Sequence, residues 1–209
     1  MLRILVAGLV GGVLVFCAGA FNHMILGLEG RAFDNMPKDA EIRAFLAKQN
    51  LKPGLYRLPA LAEGYEKMSG DDLKKEQERF AKAYKEGPSG IVVIAPTGEE
   101  PMGPQQLIAE FVTNLLAALI AAWIVANTSV GATYFIRWVV VLNLGLFTWL
   151  CTSASFGIWY RFPVEFIRVG LYGSLIEWGI AGLAIAAIAT QPDEAPAEGP
   201  AAASPPATT

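Results

Sequence analysis

The chain predicts an all-α membrane fold: four transmembrane helices, with a small α+β soluble insert between the first and second. Three observations predict it. Gln106 to Thr190 holds three long apolar segments separated by short polar breaks. A fourth apolar segment opens the chain. Between them, from Glu29 to Glu100, lies a charge-rich stretch with 12 Lys+Arg against 13 Asp+Glu. The expected divisions are a first transmembrane helix over 1–27, the insert over 28–104, a three-helix block over 105–190 and a Pro/Ala-rich tail over 191–209.

The opening segment runs from Ile4 to Leu26 after a short basic start, Met1-Leu2-Arg3. Ala18-Gly19-Ala20 has the A-x-A form of a signal-peptidase site. Apolar character continues through Met24, Ile25 and Leu26, and about 23 residues suffice to cross a hydrocarbon core of about 30 Å, so a retained helix fits better than a cleaved signal. Gly8 and Gly12 form a GxxxG spacing, which lets a second helix approach closely.

Within the insert, Asn35 or Asp39 is expected to cap a helix reaching Gln49, with Ile42, Phe45 and Leu46 on one face. Pro53-Gly54 stops it. Leu55 to Leu58 reads as a short strand closed by Pro59. Ser69 and Asp72 resemble a capping box for a second helix ending at Glu86, striped by Leu73, Phe80 and Tyr84. Gly90 to Ala95 is the clearest strand. Two strands joined by a helix suggest a parallel, right-handed pairing. The continuous apolar run Ile91–Ile94 suggests a strand covered on both faces. Two strands alone are marginal in water, so the insert is expected to lean on the membrane helices or on a partner.

Gln106–Asn127, Tyr134–Gly157 and Val164–Thr190 span about 22, 24 and 27 residues, each long enough to cross. They are apolar all round, whereas a soluble helix would carry a polar face. Their short breaks, Thr128–Gly131 and Trp159–Pro163, make them sequential antiparallel neighbours. Trp123, Tyr134, Trp138, Trp159 and Tyr160 sit near the segment ends, as interfacial aromatics do. Trp149 and Trp178 lie deeper and are expected to pack between helices. Gln191 to Thr209 carries three acids and no base and is expected to be disordered on composition.

The polar residues in apolar surroundings are the candidate sites. Glu177 lies at the centre of the last segment, where a charged acid costs roughly 2.5–3.5 kcal/mol on insertion scales. Such a residue serves a proton relay, an ion site or a partner contact, or else is a glutamic acid hydrogen-bonded between helices. Asn143 and Thr148 on the preceding helix are its expected partners. An outer-leaflet polar group comprises His23, Glu110, Asn114, Glu165 and Arg168, with His23–Glu110 and Glu165–Arg168 as expected pairs. Gly8, Gly12, Gly170, Ser174, Gly179 and Gly182 form small-residue faces suited to helix packing.

Several classes are disfavoured. A net charge of −3 offers no basic surface for nucleic acid. The two cysteines, Cys17 and Cys151, have no CxxC spacing, and one histidine cannot by itself build a metal site. No GxSxG, HExxH or SxxK occurs, nor a phosphate-binding glycine loop. No catalytic residue, metal or other cofactor is therefore assigned.

The layout resembles a group of uncharacterised bacterial inner-membrane proteins, on the residues Pro53-Gly54-Leu55-Tyr56-Arg57-Leu58-Pro59 and Ser89-Gly90-Ile91-Val92-Val93 between one leading and three closing helices. The resemblance implies an inner-membrane location and carries no known activity. The expected function is a non-enzymatic accessory or scaffold subunit, embedded in the bilayer and assembling into a homo- or hetero-oligomer through its membrane helices. The alternative is a small oligomeric transporter or proton-conducting unit using Glu177. A membrane enzyme built on His23 and Glu110 ranks third. Arg3 favours a cytoplasmic start, Arg161 and Arg168 oppose it, and both readings of the N-terminus place 28–104 outside the cytoplasm with the tail inside.

Overall fold

A computed structural model describes residues 1–98, 100–128 and 132–190. The expected turn at 129–131 and the expected disorder of Gln191 to Thr209 lie outside the described residues. The elements run α1 (Leu2–Met24), α2 (Asp39–Lys48), β1 (Gly54–Leu58), α3 (Gly70–Glu86), β2 (Gly90–Ile94), α4 (Pro104–Thr128), α5 (Tyr134–Trp149), a π-helical turn (Leu150–Ala154), α6 (Ser155–Tyr160) and α7 (Val164–Ile188). Four of the helices, counting α5 through α6 as one continuous rod, are long and apolar enough to cross a membrane. The chain divides into two compact units, one of 1–20, 110–146 and 174 onward, the other of 21–109 and 147–173.

The first unit has a core of small side chains. Ala7, Ala118, Ala121, Ala122, Ala181 and Ile185 are wholly buried or nearly so. Such a core requires backbones to approach closely, and the glycines allow it. A β-carbon on Gly8 or Gly12 would lie 2.8 Å and 2.7 Å from the α-carbons of Leu119 and Leu115 on α4. One on Gly11 would strike Ile185 of α7 at 2.7 Å. On α5, Gly145 accommodates Trp178 of α7, and on α7, Gly182 accommodates Trp138 and Val141 of α5.

Polar groups close the same unit at the C-terminal end of α7. Arg137 donates from Nε to the Ala186 carbonyl at 2.9 Å and also reaches the Ala132 carbonyl. The last carbonyls of a helix have no partner within the helix and carry its negative end, so a guanidinium there is doubly favourable. Tyr134 donates to Leu183 O, Trp138 to Gly179 O, and Arg3 to the Thr190 hydroxyl. An arginine one turn inside an apolar helix is thus satisfied by backbone of the neighbouring helix.

The second unit contains the insert and one end of the helical rods. Its strands pair antiparallel, with Gly54 opposite Ile94 and Leu58 opposite Gly90. This corrects the parallel pairing expected from the sequence. The excursion between the strands leaves at Leu58 and returns at Gly90, the same end of the sheet. Residues 59–69, which include a 3-10 turn at Tyr65–Lys67, and α3 make up that excursion. β2 is not covered on both faces as expected either, since Val93 is 70% exposed.

Helix ends also depart from expectation. α2 begins after Lys38, which takes a left-handed conformation, and neither Asn35 nor Asp39 caps it; Asp39 is the first helical residue and pairs with Arg43 at 3.6 Å. Ser69 occupies the N-cap of α3 as expected but makes no side-chain cap bond. The third rod continues helically through Trp159 and Tyr160, and Arg161, in the left-handed region, ends it. Below that end, Trp149 donates to the Ile167 carbonyl at 2.9 Å, and Gly170 makes room for Ser153.

The glycine contacts yield a direct expectation. Gly12→Leu drives a side chain into the backbone of Leu115 and should destabilise the fold by about 1–3 kcal/mol, the usual range for overpacking. Gly30→Ala, where a β-carbon meets nothing within 4 Å, should be neutral. Thermal unfolding of the detergent-solubilised variants tests this; equal midpoints would refute the packing account.

Candidate functional site

Glu177 is half-buried on α7 and lies against α1, its Oε1 3.5 Å from where a β-carbon on Gly19 would stand. The absence of a side chain at Gly19 makes room for the carboxylate. Asn143 is exposed, and its amide donates to the Val139 carbonyl of its own helix at 2.8 Å. Thr148 is exposed, and its carbonyl accepts from the Thr152 hydroxyl. Glu177 therefore faces the first helix, while the Asn143 amide is satisfied locally.

Of the group expected in the outer leaflet, Glu165 and Arg168 are brought together at 2.7 Å, both about half exposed. That geometry on one helix face is the usual i,i+3 surface pair, worth a few tenths of a kcal/mol. His23 lies exposed in the last turn of α1, Glu110 is exposed early in α4, and Asn114 is half-buried one turn later. Among the described residues, no three His, Cys, Asp or Glu side chains gather closely enough to hold a metal ion. The small-residue faces are occupied from within: Gly8 and Gly12 by α4, Gly170 by Ser153, Gly182 by α5, and Gly179 by Leu142 at 3.7 Å. Ser174 is half-buried beside them in sequence.

A feature absent from the sequence reading is a cavity of about 300 Å³ in the second unit. It opens near the end of the sheet where Leu58 pairs with Gly90. Leu58, Phe80, Tyr84, Ile91, Trp159 and Tyr160 form its walls, and Arg57 is the charged side chain among the lining residues. Tyr84 is adjacent to Phe80 on α3, with ring centroids 6.0 Å apart. Trp159 and Tyr160 belong to the last turn of α6, and Tyr160 stacks into an aromatic group with Phe156 and Phe162. The lining residues come from four distant segments, which is why no local pattern announces the cavity.

One ion pair, its carboxylate buried and its guanidinium half exposed, holds α3 in place beside it. Glu76 is 7% exposed. Arg79 grips it bidentately, Nε to Oε2 and Nη2 to Oε1, both at 2.6 Å. The Ala62 amide donates to Oε1 at 2.7 Å, and Arg79 also donates to the Ala60 carbonyl at 2.8 Å. Together these bonds pin the 59–69 loop to the helix that supplies Phe80 and Tyr84. Sequence reading missed Glu76 because α3 carries many charges at pairing distance. The i,i+3 spacing of Glu76 and Arg79 was the available signal.

The Arg79 hydrogen bonds, then the Ala62 amide, hold the Glu76 carboxyl down at about 2, from an ordinary 4.5. Because the folded-state value is the lower one, the carboxylate stabilises the fold at pH values above 4.5, and that contribution fades as pH falls towards 2. Amide exchange at Ala62, normalised to intrinsic rates, should accelerate across that interval. In Glu76→Gln, protection should be weaker at neutral pH and nearly flat between pH 4.5 and 2. A variant profile matching the parent would remove Glu76 as the cause.

Comparison with protein-family models, with curated proteins and with solved structures gives no match.

Proposed function

We propose that the chain is a multi-pass inner-membrane protein acting without catalysis, as an accessory or scaffold subunit whose soluble module docks a partner. Bilayer residence is supported by the four long helices, whose most hydropathic windows are only 11–33% buried within the chain. Leu9, Leu116, Ile120 and Leu183 are all more than half exposed. Apolar surface on that scale is unsustainable in water and ordinary in lipid. With the flanking charges divided, both readings of the N-terminus favour 28–104 on the extracytoplasmic side and the tail in the cytoplasm.

The docking role rests on one observation. Leu55 and Val93 are register partners across the sheet, and both stand in solvent, 65% and 70% exposed. α2 likewise has no buried residue, with Phe45 62% exposed. A folded module that leaves its cross-strand apolar pair uncovered presents a surface that association would bury. The glycine faces of α1 and α7 are packed inside the chain, so the interface is assigned to the module rather than to the helices.

A photo-cross-linking residue at position 93, placed in the native membrane, should capture one defined protein. Leu55→Lys should reduce that capture at least tenfold, equivalent to about 1.4 kcal/mol. Capture of nothing, or capture unaffected by Leu55→Lys, would contradict the docking role. The alternative of ion or proton conduction draws on Glu177 beside Gly19. It would take precedence if the chain proved purely homo-oligomeric and Glu177→Gln abolished a proton flux in proteoliposomes.

A further inference from the structure

We infer that the cavity at the Leu58–Gly90 end of the sheet is a binding site for a bilayer phospholipid of net negative charge, one acyl chain lying between its apolar walls and the phosphate meeting Arg57. This rests on the membrane reading above; of the docking pair, Leu55 also lines the cavity, whereas Val93 is not among its lining residues.

Position comes first. Trp159 and Tyr160, which form one wall, are the last residues of the third candidate span, Tyr134–Tyr160. Indole and phenol rings at the end of a span sit at the headgroup level of a bilayer. The cavity is therefore continuous with the lipid interface, and a lipid can enter it without crossing water.

Size and wall chemistry come next. At about 300 Å³ the cavity is at the lower end of the range for small-molecule sites, roughly 300–1,000 Å³. It has room for part of one chain and excludes a whole two-chain lipid. Leu58, Phe80 and Ile91 offer such a chain an apolar bed.

Charge selects the headgroup. Arg43, Arg79 and Arg168 each pair with a carboxylate of their own helix. The cavity that Arg57 lines has no carboxylate among its lining residues. A guanidinium offers a planar fork matched to phosphate oxygens. With no acid in the lining to accept an amine, a net-anionic phosphodiester fits better than a zwitterionic amine lipid.

The test uses the full chain in phosphatidylcholine nanodiscs doped with phosphatidylglycerol bearing a diazirine on one acyl chain. After irradiation, adducts are mapped by peptide mass spectrometry. Adducts are expected on 55–59, 80–91 and 159–160, besides those on the exposed α4 residues Leu116 and Ile120. Arg57→Gln should lower the cavity adducts at least fivefold and leave the α4 adducts unchanged, while Arg57→Lys should retain most of them. Ile91→Trp, which fills the cavity, should abolish them. A phosphatidylcholine probe should label the cavity several-fold less.

Labelling of α4 without the cavity would overturn the inference, as would cavity labelling indifferent to Arg57→Gln or to headgroup charge. Capture of a polypeptide by a cross-linker at position 91 would assign the cavity to a protein and also overturn it. Failure of the chain to enter nanodiscs would overturn the membrane reading together with this one, whereas entry without cavity adducts would overturn this one alone.

Discussion

Close approach of helix backbones in the first unit is the constraint on which the rest depends. The core there is built mostly of alanines, whose side chains reach only a short way from the helix axis. Such a core can be filled only if the axes are near one another, and Gly8, Gly11 and Gly12 remove the β-carbons that would hold α1 away from α4 and α7. Among apolar helices in lipid, burial supplies little net drive, because hydrocarbon tails are as apolar as leucine. Close packing and interhelical hydrogen bonds must serve instead. The bonds from Arg137, Trp138 and Tyr134 to carbonyls of α7 are of that kind.

The same reliance on backbone acceptors recurs in the second unit, where Trp149 donates to the Ile167 carbonyl of α7. The inserted module is held differently. With little apolar burial of its own, it depends on a bidentate ion pair that ties a long loop to α3. Removing Glu76 would take away the acceptor shared by the Ala62 amide and Arg79 and loosen the loop from α3. The module is thus folded yet leaves its apolar cross-strand pair outside, a combination that suits a docking element.

Much of this was legible in the sequence, because length and uniform apolarity report a helix able to span a membrane without reference to tertiary contacts. The four rods fall within a few residues of expectation, and the glycine spacing of α1 does mark a helix contact. What the spacing cannot say is whose helix arrives: the neighbour is α4 of the same chain. Strand positions were legible from Pro53-Gly54 and Gly90, but their relative direction depends on the path of residues 59–69, which local propensity does not encode. The rod extends through Trp159 and Tyr160 because an αL residue at Arg161 can end a helix later than the aromatic-rich turn suggests. Glu177 was singled out by its position alone, and its contact with Gly19 required knowing that α1 and α7 are neighbours. The cavity and the Glu76 pair are assembled from residues far apart or lost among many charges, and no periodicity reveals them.

The account stands on four membrane crossings. The most direct measurement is the labelling of single reporter cysteines by a membrane-impermeant maleimide on sealed vesicles of known orientation, in a background lacking Cys17 and Cys151. Reporters at Ser89 and Arg161 should react from one side, and reporters at Arg3 and Thr190 only from the other. Reaction of all four from the same side, or release of the chain from vesicles by alkaline carbonate, would contradict it.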